Sequence, residues 1–254
     1  PTNAVLFHTD AARALAQLDR LPEAMAEADK AVQSAGDEER PALRRFHVLL
    51  LSRAGQLDCA VAECQEMLKQ AVLAAEVIEV RHLLSNAYSS AKDYARAEEQ
   101  LEQVLKIDPN DATANNDLGY LWADQGKRLK EAEELIRKAI ELDRRQRRAG
   151  RGDAGADSDN AAYLDSLGWV LYRQNRLAEA KVELEKAARL PAGNDPVIWE
   201  HLGDTYARLG QAAEARTAYT RAVQLYEQEH RRTPDPRCRD VQQKIKLLER
   251  ETHP

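Results

Sequence analysis

The 254-residue chain is 43% apolar but only 5% aromatic, and it is rich in alanine, leucine, glutamate and arginine. Because those four residues favour helices and β-branched residues are sparse, the composition predicts an all-α protein. The formal net charge of −6 argues against nucleic acid as the main partner, since phosphate binding needs a basic face. No apolar run approaches the roughly 18 residues that a membrane span needs, so we expect no insertion into a bilayer.

Pairs of helices recur along the chain. The predicted repeats begin near Val5, Pro41, Ile78, Ala112, Ala161 and Pro196. The last three have Leu-Gly inside the first helix and an alanine about twelve residues after that glycine. An alanine occupies this place in every repeat: Ala24, Ala60, Ala97, Ala132, Ala180 and Ala215. A small residue is needed there because larger side chains would push two closely crossing helices apart.

These residues resemble the tetratricopeptide repeat, a helix pair of about 34 residues. The resemblance implies an αα-superhelix, that is, a solenoid of about six helix-turn-helix repeats forming one domain over residues 1–254. It places Gly119, Gly168 and Gly203 where the two helices of a repeat cross. It also implies that the first helices of the repeats line a concave groove in which a protein or peptide binds.

An arginine-rich segment, residues 144–160, interrupts the repeat period. It holds five arginines, three glycines and three aspartates, and it has almost no apolar side chain. This composition predicts a disordered loop inserted between two repeats. The alternative is a basic loop that contacts an anionic partner. Its aspartates lack the spacing of a calcium loop, so we expect no metal there.

A terminal helix is predicted over residues 235–251. Asp235 followed by Pro236 is typical of a helix start, and Cys238, Val241 and Ile245 then fall on one apolar face. Such a helix covers the last apolar face of a solenoid, so we expect it to act as a cap. The opposite end shows no comparable cap, and we expect further repeats before Pro1 in the full-length protein.

The resemblance also implies which side chains face the groove. Those that we expect to contact a ligand are Arg45, Phe46, Leu49, Arg53, His82, Asn86, Asn116, Tyr120, Asp124, Trp169, Tyr172, Arg173, Asp204 and Arg208. Exposed aromatic and arginine side chains commonly anchor bound peptides. Trp169 and Tyr172, spaced i and i+3, share that face. The alternative is that Trp169 and Tyr120 pack on a neighbouring helix or under the inserted segment.

The sequence offers little for catalysis. It contains no nucleophile elbow, zinc-protease motif, phosphate loop or dinucleotide-binding glycine pattern. Its six histidines are scattered over different repeats, and Cys59, Cys64 and Cys238 have no metal-ligand spacing, so we expect buried free thiols. We therefore predict no enzymatic activity, no metal and no cofactor.

The predicted function is a non-enzymatic scaffold or adaptor that binds a protein or peptide segment in its groove. Self-assembly of the chain into a homo-oligomer is one alternative, and contact of the inserted loop with an anionic partner is another. The last three repeats resemble bacterial tetratricopeptide proteins, many of them exported or membrane-associated. Cytoplasmic and periplasmic or membrane-associated settings both stay open.

Overall fold

The computed structural model describes residues 3–151, 159–228 and 235–252. They form thirteen α-helices, one short 3₁₀ turn at Pro191–Gly193 and no strand. The helices are α1 Asn3–Gln17, α2 Leu21–Ser34, α3 Arg40–Arg53, α4 Leu57–Gln70, α5 Ala74–Ser90, α6 Tyr94–Ile107, α7 Ala112–Asp124, α8 Leu129–Arg151, α9 Ala161–Arg173, α10 Leu177–Arg189, α11 Pro196–Arg208, α12 Ala212–Gln228 and α13 Pro236–Thr252. The predicted all-α repeat fold is confirmed.

The described chain divides into two compact units, with the boundary between Pro109 and Asn110. The amino-terminal unit contains three helix pairs, α1–α2, α3–α4 and α5–α6. The carboxy-terminal unit contains α7–α8, α9–α10 and α11–α12, followed by α13. That residues 1–254 form one continuous domain remains a prediction.

The shared alanine of each helix pair lies in the core. All six alanines at this position have 0% of their surface exposed. In the last three repeats the crossing position of the first helix is a glycine that leaves no room for a side chain: a Cβ on Gly168 would lie 2.4 Å from Leu184 Cγ, and one on Gly203 would lie 2.4 Å from the Tyr219 ring. The first and second helices of these repeats therefore approach as closely as their backbones permit.

A left-handed residue follows the first helix of every repeat. The fifteenth residue from each predicted start has a positive φ, between 55° and 74°: Asp19, Gly55, Lys92, Gly126, Asn175 and Gly210. Glycine adopts this conformation without steric cost, and asparagine and aspartate tolerate it better than most residues. The six turns thus share one register, including those of the first three repeats, whose sequences follow the pattern less closely.

The inserted segment is partly helical, so the loop predicted over 144–160 is wrong for residues 144–151. Helix α8 continues to Arg151 because arginine and glutamine are good helix formers, and because Arg145 pairs with Glu141 and Arg147 with Asp143 one turn earlier. The prediction was based on missing apolar residues, which an exposed helix does not need. Residues 152–158 of the predicted loop lie outside the described residues.

Helix α13 packs against the second helix of the last repeat. Asp235 accepts a hydrogen bond from the backbone N–H of Arg237 and so caps the helix. Cys238 and Val241 are buried against Tyr219 and Tyr226 of α12. The carboxy-terminal unit therefore has an apolar core that extends into its final helix.

The prediction of three buried thiols is wrong for one of them. Cys64 and Cys238 are buried, but Cys59 is exposed. Cys59 precedes the fully buried Ala60 on α4, and neighbouring residues of a helix point in different directions. Burial raises the pKa of Cys64 to about 12, so this thiol is unreactive at neutral pH.

Candidate functional site

The first helices of the amino-terminal unit present apolar side chains beside arginines. We call the side chains of α1, α3 and α5 on this face the amino-terminal wall. Phe46 is half-buried with the Arg13 guanidinium 6.0 Å from its ring centre, and Leu49 is 47% exposed one turn along α3. Arg45 forms an ion pair of 2.7 Å with Glu79 of α5. This wall therefore combines uncovered apolar surface with cations at its edge.

Two further predicted residues lie on α5. His82 is half-buried, and Asn86 is exposed one turn later. They extend the amino-terminal wall with polar side chains. Within the amino-terminal unit, the wall therefore passes from basic and apolar side chains on α3 to polar ones on α5.

The carboxy-terminal unit stacks its aromatic rings on one another. We call the side chains of α7, α9 and α11 on the equivalent face the carboxy-terminal wall. The Trp169 ring is 4.9 Å from Tyr172 and 4.1 Å from His201, nearly parallel to both. Trp169 therefore packs on a neighbouring helix, which is the alternative stated above, because His201 belongs to α11.

A buried ion pair supports this stack. His201 Nδ1 lies 2.9 Å from Asp165 Oδ1, and both side chains are less than one tenth exposed. Burial acts to lower the pKa of His201, but Asp165, with Asp204 and Glu200, raises it above the ordinary value. Sequence reasoning missed this pair. Its two residues are adjacent only because consecutive first helices, α9 and α11, lie side by side.

The Asp204 carboxylate is hydrogen-bonded to side chains of its own chain. Its carboxylate accepts hydrogen bonds from Tyr219 (2.6 Å) and from Lys244 of α13 (2.7 and 2.9 Å). Lys244 also pairs with Glu200 at 3.0 Å. Lys244 of the final helix therefore neutralises both carboxylates, of which Asp204 is one of the predicted groove residues.

The remaining predicted residues of α7 differ in exposure. Asn116 is only 6% exposed and donates to Asp117, so it does not present its side chain as predicted. Tyr120 is half-buried, with its ring 6.4 Å from that of His201, and Asp124 is exposed. Asn116 lies one turn after Thr113, whose hydroxyl oxygen is 3.3 Å from that of Tyr163 on α9, so this face of α7 is covered by α9.

Three of the predicted arginines join neighbouring repeats. Each occupies the thirteenth position of its repeat and donates to a backbone carbonyl at the end of the preceding first helix. The bonds run from Arg53 to Ala16 (3.1 Å), from Arg173 to Asp124 (2.6 Å) and from Arg208 to Tyr172 (3.2 Å). A cation stabilises the carbonyl end of a helix. Within each wall, these arginines therefore link one first helix to the preceding first helix.

Two general findings concern the described residues as a whole. None of the described helices is both long enough and apolar enough to cross a membrane. No group of three histidine, cysteine, aspartate or glutamate side chains converges there as a metal site would require.

Comparisons with known proteins agree with the helix pairs. Three family models of the tetratricopeptide repeat match residues 82–154, 160–190 and 196–229. The TPR repeat-containing protein PA4667 of Pseudomonas aeruginosa is 34% identical over 191 residues, which are 75% of this chain and 29% of that protein. The chain thus spans less than a third of the length of this relative.

Solved structures share the fold at low sequence identity. BtubC from P. vanneervenii is 21% identical, with a TM-score of 0.58 over 87% of this chain and 93% of that one. A tetratricopeptide repeat protein from Parabacteroides merdae is 13% identical, with a TM-score of 0.56 over 97% and 99%. MamA from Desulfovibrio magneticus is 20% identical, with a TM-score of 0.51 over 76% and 97%.

Proposed function

Because this chain belongs to the tetratricopeptide-repeat proteins, we propose that it is a non-enzymatic scaffold that holds a segment of another protein against the first helices of its repeats. Its family and fold neighbours support a protein-interaction scaffold in general, and nothing among them indicates catalysis. The Pseudomonas relative is consistent with a bacterial protein.

The observation that carries this proposal is the uncovered apolar surface of the amino-terminal wall. Phe46 and Leu49 lie one turn apart on α3 and keep part of their surface in water. Burying apolar surface against a partner is favourable by about 25 cal/mol per Å². Arginines beside such a patch add donors for a partner's carboxylates or carbonyls, so this pair is suited to anchor a bound segment.

The carboxy-terminal wall differs from the amino-terminal wall in the side chains that it exposes. Its indole and carboxylates are engaged within the chain, whereas Arg208 and Asp124 remain exposed at its rim. Arg208 lies 4.6 Å from the Tyr172 ring centre and shields one face of that ring. We propose that the amino-terminal wall supplies the apolar contact with a bound segment.

Replacing Leu49 with Asp tests the proposal. Peptides selected from a random phage-displayed library on the intact chain are expected to bind Leu49→Asp at least about tenfold more weakly, because a carboxylate would enter an apolar contact. Fluorescence anisotropy of the labelled peptides measures this affinity.

Val182→Asp is the matched control. Val182 is 48% exposed, almost the same as Leu49, but it lies on α10, a second helix. We expect its peptide affinity to equal that of the unaltered chain. Equal weakening by both variants, or a library that yields no binding peptide, would contradict the proposed function.

A further inference from the structure

A buried ion pair lies against the indole of the carboxy-terminal wall, and nothing in the proposed function uses it. We infer that Asp165, His201 and Trp169 form a proton-operated latch, in which protonated His201 holds the indole by stacking on it and loss of that proton releases it. The latch is a property of the folded chain alone. Only its effect on a bound segment depends on the proposed function.

The closed state is defined by two contacts of His201. One is the hydrogen bond from Nδ1 to the Asp165 carboxylate, at 2.9 and 3.1 Å from its two oxygens. The other is the stack on Trp169, at 4.1 Å between ring centres and 14° between ring planes. A protonated imidazole gains from both contacts, because it is attracted to the carboxylate and to the electron-rich face of the indole.

Charged and titratable groups from every neighbouring helix face this site. Those that act on His201 directly are Asp165 of α9 and Glu200 and Asp204 of α11 itself, and the Tyr120 ring of α7 lies 6.4 Å from its ring. The Arg173 guanidinium of α9 lies 5.7 Å from the centre of the Trp169 ring. Tyr219 and Tyr226 of α12 and Lys244 of α13 bond to Asp204 or Glu200, and Arg237 of α13 acts on Tyr120 and Tyr226. Lys244 pairs with Glu200 and Asp204, whereas Asp165 is the carboxylate hydrogen-bonded to His201. Among the described side chains, Asp165 is therefore the partner whose charge His201 senses most directly.

Loss of the proton weakens both contacts of the closed state. A neutral imidazole still donates one hydrogen bond to Asp165, but it loses the charge attraction and the cation–π contact. Because the carboxylates raise the pKa of His201, the stabilisation is fully present below the unfolded pKa near 6.5 and is lost as the pH rises through the folded value. The latch is therefore closed in acid and loosens in base.

The unpaired N–H group of the indole favours its release when the latch loosens. Trp169 Nε1 is buried and has no hydrogen-bond partner among the described residues. A buried donor without a partner is unfavourable, so turning outward would let it bond to water or to a carbonyl of a bound segment. The carboxy-terminal wall would then present an indole face that the closed latch conceals.

Nuclear magnetic resonance of the intact chain tests the latch without any ligand. The indole N–H signal of Trp169, assigned with Trp169→Phe, is followed between about pH 5 and pH 9 together with the ring signals of His201, assigned with His201→Gln. We expect both residues to shift with one midpoint above about 6.5. The indole signals of Trp122 and Trp199 serve as controls and should not follow that midpoint.

Asp165→Asn supplies the decisive comparison, since it removes the charge but keeps an acceptor oxygen. The common midpoint should fall by about one pH unit or more, as expected when an adjacent carboxylate is lost. If that variant does not fold, His201→Gln must still abolish the pH-dependent shift of Trp169. A Trp169 signal that does not change with pH in the unaltered chain, or that still titrates in His201→Gln, would overturn the latch and leave the proposed function standing.

Discussion

Replacing Ala180 with Leu is expected to destabilise the carboxy-terminal unit by about 2 to 3 kcal/mol. Ala180 has no exposed surface and lies one turn from Leu184, which already fills the space opposite Gly168. Three additional carbon atoms would force α9 and α10 apart. Urea unfolding followed by circular dichroism should show a lower midpoint for the transition of this unit.

Ala178→Leu is the matched control for that substitution. Ala178 lies two residues earlier on the same helix and is exposed, so the three additional carbon atoms of leucine would lie in solvent. Its unfolding midpoint should correspond to a change within about 0.5 kcal/mol. Equal midpoints for the two variants would contradict the close helix crossing.

Replacing Val241 with Asp should detach the final helix. Val241 has 0% of its surface exposed and packs with Cys238, Tyr219 and Tyr226. A carboxylate buried there without a partner is expected to cost about 3 kcal/mol or more. Because α13 covers the last repeat, its loss would also separate Lys244 from Glu200 and Asp204.

The reactivity of Cys238 reports this detachment directly. In a Cys59→Ser background, a thiol reagent should label Cys238 rapidly in Val241→Asp and slowly in the otherwise unaltered chain, because burial both shields this thiol and raises its pKa. Leu247→Asp, on the same helix but 56% exposed, should label slowly. Rapid labelling in all three proteins would show that α13 does not cover Cys238.

The fold was predictable because each repeat carries the same local requirement. The shared alanines and the glycines of the later repeats are placed by close helix packing, which depends on residue size and leaves a mark in a single sequence. Val48 is larger than usual at its crossing position, yet it is fully buried there. The left-handed turns were not predicted, because Asp19, Lys92 and Asn175 stand where a glycine would have indicated a positive φ.

The site was only partly predictable, because it is formed by contacts between repeats. Position within a repeat indicates that Trp169 and Asp204 point to one face, but not that His201 stacks on the indole or that Lys244 pairs with the carboxylate. The arginines at the thirteenth position were predicted as ligand contacts because their contacts with the neighbouring repeat cannot be read from the sequence. Their carbonyl acceptors lie between 36 and 49 residues away in the sequence.

Hydrogen–deuterium exchange with a library-selected peptide bound to the intact chain tests the central claim most directly. If the chain is a scaffold that uses the first helices of its repeats, the bound peptide should slow exchange mainly in α1, α3 and α5, the first helices that carry the amino-terminal wall. Protection confined to the second helices, α2, α4, α6, α8, α10 and α12, would contradict it.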